Sequence, residues 1–203
     1  MNVLLLGATG QLGRPLLRQA LAAGHGVSAF VRRPERLDLA HPRLRAVRGD
    51  ALDPAGVAAA LPGHDAVLST LGGSPDVVTQ GARHLVAAMQ GSAVRRLIAV
   101  AAAGILPLDD RTLVRDLPTF PAGFREVSAA HLRAYELLVA SDLEWTLLCP
   151  PALVGGALTG RYRVQAEHAL SDARTVSTED AAHFILGELT APRFVRMRVA
   201  IAS

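Results

Sequence analysis

Gly7-Ala8-Thr9-Gly10-Gln11-Leu12-Gly13 carries a glycine at every third position. It follows the apolar run Val3-Leu4-Leu5-Leu6 and opens a segment in which Leu12, Leu16, Leu17, Ala20 and Leu21 recur at helical spacing until Gly24 stops it. A short continuous apolar run suits a strand buried on both faces. Strand, glycine turn and helix in direct succession give each glycine a purpose. One makes the tight turn, a second lets a pyrophosphate approach the backbone, and the third permits close helix–strand packing. The helix N-terminus then presents free N–H groups and a positive dipole end to the phosphates. Gly7, Thr9, Gly10, Gln11, Leu12 and Gly13 form this expected cradle; an ordinary tight turn without a ligand is the alternative.

The same alternation continues outward. Val27–Val31, Leu44–Val47, Ala66–Leu68, Leu97–Val100 and Trp145–Leu148 read as strands. Between them lie a short helix capped by Asp53 with Pro54 in its first turn and running to about Leu61, a long helix over 75–89, and another over 129–139. A strand near Tyr162–Val164, a helix over 179–189 behind the capping region Ser177-Thr178-Glu179-Asp180, and a last strand at 196–201 complete the chain. Strands alternating with helices predict an α/β fold: a doubly wound parallel sheet flanked by helices. No composition break or linker divides the 203 residues, so a single domain over 1–203 is expected, its C-terminal third shaping a small substrate lobe. Residues 101–124 carry Pro107, Pro118 and Pro121 and read as a long functional loop, a lid over the site from Asp109 to Phe124.

Ligands of such sheets sit outside the carboxyl ends of the strands, so the strand ends carry the next information. A carboxylate at the end of the second strand accepts the ribose 2′-hydroxyl of NAD, whereas an arginine suits a 2′-phosphate. Here Phe30-Val31 is followed by Arg32-Arg33-Pro34. Their guanidinium forks match phosphate geometry and predict a preference for NADP(H), with Glu35 nearby to weaken it and a solvated arginine pair as the alternative. Asp50, with Ala51, closes the third strand, placed either to accept from an adenine amino group or to cap the next turn. Thr70, Leu71 and Gly72 close the fourth strand with small residues that leave room for a dinucleotide. Ala101 stands at the end of the fifth.

Composition sets limits. Half the residues are hydrophobic, 19% are charged and 4% aromatic, which is a core-forming chain and not a disordered one. No apolar run approaches the ~20 residues of a membrane helix, and the N-terminus reads as the first strand, not a signal peptide. All 21 basic residues are arginine, and the net charge is +3. The arginines are scattered and few aromatics accompany them, so no nucleic-acid partner is expected. The absence of lysine excludes every mechanism that needs a lysine amine. Cys149 is the only cysteine, which rules out an internal disulfide or a cysteine-based zinc site and points to a cytoplasmic, reducing setting. His25 lies in a turn, His64 precedes the fourth strand and His84 sits on a long helix, while His168 and His183 have no Asp, Glu or His partners at ligand spacing, so no metal is expected.

The Gly-Ala-Thr-Gly-x-x-Gly turn, Gly49-Asp50 after the third strand, and Ser141-Asp142-Leu143-Glu144-Trp145-Thr146-Leu147-Leu148-Cys149-Pro150-Pro151 together resemble the atypical branch of the short-chain dehydrogenase/reductase superfamily, the NmrA-like NAD(P)H-binding proteins. Leu158-Thr159-Gly160-Arg161-Tyr162 resembles the biliverdin reductase B and flavin reductase group. The resemblance spans nearly the whole chain. It implies a Rossmann-like fold and an NADP(H)-dependent reductase, with the nicotinamide near Pro150, Pro151 and Ala152 and an aromatic acceptor stacked above it. The chain also departs from that pattern. Tyr135 is followed four positions on by Val139 where the superfamily places lysine, Ala101-Ala102-Ala103 replaces its serine, and Ala152 stands where the flavin reductase group commonly has histidine.

The candidates for chemistry are therefore few. His131 and Tyr135 lie one turn apart on the same helix face. His131 is read as ribose binding or proton supply, or as a plain helix histidine; Tyr135 as a general acid, or as core or crevice lining. Hydride transfer to a flavin or quinone-like ring survives the loss of a strong acid, because it needs positioning and water can protonate the product. The expected partner is then a small aromatic acceptor. The competing reading is an NmrA-like dinucleotide-binding regulator that senses redox state and binds a protein partner. An epimerase or dehydratase has little support without the tyrosine–lysine pair.

Overall fold

The computed structural model describes residues Met1 to Ser203. At its centre lies β1 (Asn2–Leu6), which pairs in parallel with β2 (Gly26–Val31) on one side and with β4 (Ala66–Ser69) on the other. Val3 and Leu5 face one layer of helices while Leu4 and Leu6 face the other, which is why this run shows no polar alternation. Strands β3 (Leu44–Arg48), β5 (Arg96–Val100), β6 (Glu144–Cys149), β8 (Arg163–Ala166) and β10 (Met197–Ala202) complete eight strands in the order β3-β2-β1-β4-β5-β6-β10-β8. All pairings are parallel except β10 with β8.

Helices α1 (Gly13–Ala22) and α5 (Thr178–Thr190) cover one face. Helices α2 (Pro54–Ala60), α3 (Pro75–Gln90) and α4 (Arg125–Val139) cover the other. The doubly wound, Rossmann-like architecture is as the alternation predicts. Chain order reverses beside β1, so a crevice opens there outside the carboxyl ends of the strands.

The boundaries differ in instructive places. Helix α4 begins at Arg125 rather than near 129, because a single 3-10 turn at Ala122–Phe124 already starts the winding once Pro121 is passed. In α5 the expected cap is made: the Ser177 hydroxyl accepts from Asp180 N–H at 2.9 Å. The C-terminal third divides between two structures. Strands β8 and β10 extend the main sheet, while β7 (Ala152–Val154) and β9 (Thr175–Ser177) pair in parallel as a separate two-stranded sheet that the sequence did not reveal. Buried Asp180 holds the loop between them, accepting from the Thr159 and Gly160 N–H groups and the Thr159 hydroxyl, each at 2.8 Å. Both sheet edges carry exposed arginines, Arg45 and Arg48 on β3 and Arg163 on β8, which discourage edge-to-edge pairing. No helix is long and apolar enough to cross a membrane.

Candidate dinucleotide and acceptor site

A cleft of about 680 Å³ opens at the carboxyl ends of β1, β2 and β4, within the size range of roughly 300–1,000 Å³ typical of cofactor sites. Its floor is the glycine turn. Gly7 has φ +83°, and a Cβ there would stand 2.5 Å from Thr70 Oγ1. A Cβ on Gly13 would stand 2.0 Å from the Gly7 carbonyl oxygen. These two glycines are demanded by the protein's own packing. Gly10 is exposed, and a Cβ there meets only the Gly7 carbonyl oxygen, at 3.2 Å, so its bare face is left to the cleft.

The start of α1 fits an anion. No side chain caps it, no acidic residue lies in its first turn, and the N–H groups of Gln11, Leu12 and Gly13 donate to no protein acceptor. Orphan donors at a helix N-terminus beside a bare glycine are what a pyrophosphate requires. The cradle therefore suits a dinucleotide on its donors and on its space. Thr9 lines the same floor. Gln11 also reaches across the cleft, its Nε2 donating to the Leu153 carbonyl at 3.2 Å.

The structure separates the two arginines. Arg32 lines the rim of the cleft and is exposed, and all six ion pairs of the molecule use other side chains. Arg33 is exposed outside the cleft lining, where the chain turns into the single 3-10 turn Pro34–Arg36. Glu35 pairs with Arg48 at 3.9 Å and forms no ion pair with Arg32. Asp50 caps the next turn, its Oδ1 accepting from Leu52 N–H at 3.0 Å, and it also lines the cleft. Ala51 lines the cleft too, its carbonyl facing His84 Nδ1 at 3.0 Å. The Thr70 hydroxyl lies 3.1 Å from the Leu6 carbonyl and 3.2 Å from that of Gly7, fixing the wall that Leu71 and Gly72 continue. Phe30, Gly49 and Leu153 also line the cleft, although only Gly49 had a signal in the sequence, as the neighbour of Asp50.

The other end of the cleft is formed by Val100, Ala101 and His131. His131 is buried without a hydrogen-bond partner, and burial pushes its pKa down to about 4. It is neutral at neutral pH. A small apolar cavity lies behind it, between α3, α4 and the sheet.

Tyr135, one turn on, does not line the cleft. Its ring meets Trp145 edge-on with centroids 5.8 Å apart, and the Arg198 guanidinium stacks over it at 4.3 Å. Burial, outweighing the nearby Arg198, raises its pKa above the ordinary tyrosine value. Arg198 is itself held by Glu167 at 2.8 Å and by the Ile105 carbonyl at 2.9 Å. Helical spacing placed His131 and Tyr135 together; the tertiary packing gives one to the cleft and the other to the core.

Pro150, Pro151 and Ala152 do follow β6, but none of the three lines the cleft; Leu153 is the residue of that segment that does. Pro150 is buried, and its carbonyl accepts from Ala103 N–H at 2.8 Å, tying the loop after β5 to the loop after β6. No three His, Cys, Asp or Glu side chains converge as a metal site would need.

Residues 7–192 match the NAD(P)H-binding family. Among curated proteins, the chain is 26% identical to YwnB of Bacillus subtilis, over 100% of this chain and 99% of that one. It is 33% identical to a 3-diazoavenalumate denitrifying reductase of Streptomyces, over 76% of this chain and 57% of the reductase. Among solved structures, a Burkholderia pseudomallei protein provisionally described as exported shares 33% identity over the full length of both chains, with a TM-score of 0.90.

Proposed function

The chain belongs to the NAD(P)H-binding family, and on that premise we propose that it is an NADP(H)-dependent reductase that passes hydride to a flavin, quinone or similar aromatic ring. One observation carries this reading. The cleft ends at a neutral, buried His131 with uncharged neighbours, while Tyr135 is held under Arg198 and the chain contains no lysine. A carbonyl-to-alcohol reduction wants a strong proton donor at that point. Ring reduction does not, since hydride delivery depends on alignment and solvent supplies the proton. The relation to the Streptomyces reductase supports the reaction class.

Each residue then has a task. The N–H groups of Gln11, Leu12 and Gly13 take the pyrophosphate. Arg32, free of carboxylates, takes the 2′-phosphate, with Arg33 adding charge from outside the cleft. Asp50 and Ala51 border the adenine, and Thr70, Leu71 and Gly72 shape the passage to the reacting end. Ala101 and His131 line that end, and Pro150, Pro151 and Ala152 back it from the loop after β6. A bound nicotinamide would supply the hydride, two electrons and one proton, and water would give the ring its second proton. A cytoplasmic setting belongs to this reading, supported by a single buried cysteine.

The missing acid also favours a second reading, an NmrA-like sensor that binds NADP(H) and a protein partner without turnover. Steady-state NADPH consumption with FMN, FAD and a simple quinone, with NADH as control, decides between them. Acceptor-dependent turnover faster with NADPH supports the reductase. Tight NADPH binding without turnover under any acceptor favours the sensor.

A further inference from the structure

Ser128 lies in α4, one turn before His131. Its side chain is 1% exposed, and its Oγ has no hydrogen-bond partner. The hydroxyl points at the bare face of Gly104, in the single 3-10 turn Ala103–Ile105 after β5. A Cβ on Gly104 would stand 2.6 Å from Ser128 Oγ and 3.1 Å from Phe120 Cζ. Serine hydroxyl, glycine backbone and phenyl ring therefore meet at one point. A buried hydroxyl without a partner forfeits its hydrogen bonds, a cost the fold ordinarily avoids.

Phe120 comes from a segment with little regular structure. It is half-buried and sits on residues 106–121, which hold one single-turn 3-10 helix and an isolated bridge between Pro107 and Leu113. Arg125 lies 5.9 Å from its ring centroid and fastens the same segment through the carbonyls of Arg115 and Leu117. Ser128, Gly104 and Phe120 stand outside the cleft lining, the first two near in the chain to residues that form it. Ser128 is about 4.5 Å of helix rise from His131, and Gly104 is three residues from Ala101.

We propose that the Phe120 ring occupies the acceptor subsite, and that a planar aromatic carbonyl compound of the quinone class displaces it, stacking on Gly104 and accepting a hydrogen bond from Ser128 Oγ. The guanidinium of Arg125 then faces the ligand's π surface as it faces Phe120 now. The serine missing after β5 is thus supplied from α4. This inference rests on the reductase reading and names the substrate class of the same site.

The test is calorimetric titration of menadione into the whole protein saturated with NADP+, a binding measurement independent of turnover. Phe120→Ala is expected to tighten binding several-fold, because the plug is gone, and Ser128→Ala to weaken it about fivefold, the size of one hydrogen bond. Affinity for NADP+ is expected to stay within twofold of wild type in both variants, and thermal melts confirm that they fold. Weaker menadione binding in Phe120→Ala, or no change in either variant, overturns the subsite. Failure of the reductase reading looks different: menadione binding responds to both variants as expected, but NADPH is not consumed.

Discussion

At the dinucleotide end of the cleft the backbone makes the site. Free N–H groups at the start of α1 and one bare glycine face the cleft, two glycines are fixed by their own contacts, and a single guanidinium stands on the rim. At the other end Val100, Ala101 and His131 line the cleft, and the acceptor subsite proposed beside it draws on distant segments: Ser128 from α4, Phe120 from an irregular loop, and the Gly104 backbone from the turn after β5. The glycine turn at the first end lies within seven consecutive residues and is tied to the Thr70 hydroxyl, with Arg32 apart on the rim. The parts of the second come together from three segments through packing. A common binding task can be written into a local motif, whereas a choice of acceptor is left to surfaces that vary independently of it.

This contrast can be tested first against a control that belongs to neither end. Arg96 and Glu188 form a buried pair, 3.1 Å apart, in which the Glu188 carboxylate also accepts from Thr146 and from the N–H groups of Arg193 and Phe194. Glu188→Ala strands the arginine and is expected to cost about 4 kcal/mol in urea unfolding while leaving NADPH affinity unaltered in the folded fraction. A selective loss of NADPH affinity would show that the ends are not separable from the frame.

Gly13→Ala comes next. Its Cβ runs into the Gly7 carbonyl, so a loss of about 3 kcal/mol is expected together with weakened NADPH binding. Retained stability would mean the turn is softer than its contacts indicate.

The acceptor end has a pH signature. His131 takes its proton at about 4 when folded, against an ordinary value of 6.5. Between those values the unfolded chain binds more protons than the folded one. The contribution is thus complete above pH 6.5 and is lost as pH falls toward 4, by up to about 3 kcal/mol. Melting curves of wild type and His131→Asn across pH 4–8 are expected to diverge in steepness only within that window; parallel curves would place His131 in a more open environment.

The smallest effect divides the arginines. Arg32→Ala is expected to weaken NADPH about tenfold and NADH little, and Arg33→Ala to change either less than twofold, read by fluorescence titration. Equal losses in both variants would return the 2′-phosphate to the pair as the sequence presents it.

The glycine turn, the alternation of elements and the cap at Ser177 were legible because each is a local pattern whose cause lies within a few residues. Strands β7 and β9 were not. Each has three residues, and what makes them strands is a partner more than twenty positions away. Arg32 and Arg33 look equivalent as neighbours, yet the backbone sends one to the cleft rim and the other outside it. Ser128 gave no signal at all. It is one serine in a helix, singled out only by what fails to bond to it.

By itself the sequence determined the α/β class, the dinucleotide turn and the absence of lysine chemistry, since periodicity, glycine spacing and residue inventory do not depend on distant contacts. Tertiary structure alone decided that His131 faces the cleft while Tyr135 stacks under Arg198, and that the Ser128 hydroxyl and the Phe120 ring both pack against Gly104. The reason is physical: spacing fixes which residues share a helix face, but only the neighbours packed against that face decide which part of it meets a ligand and which part is buried.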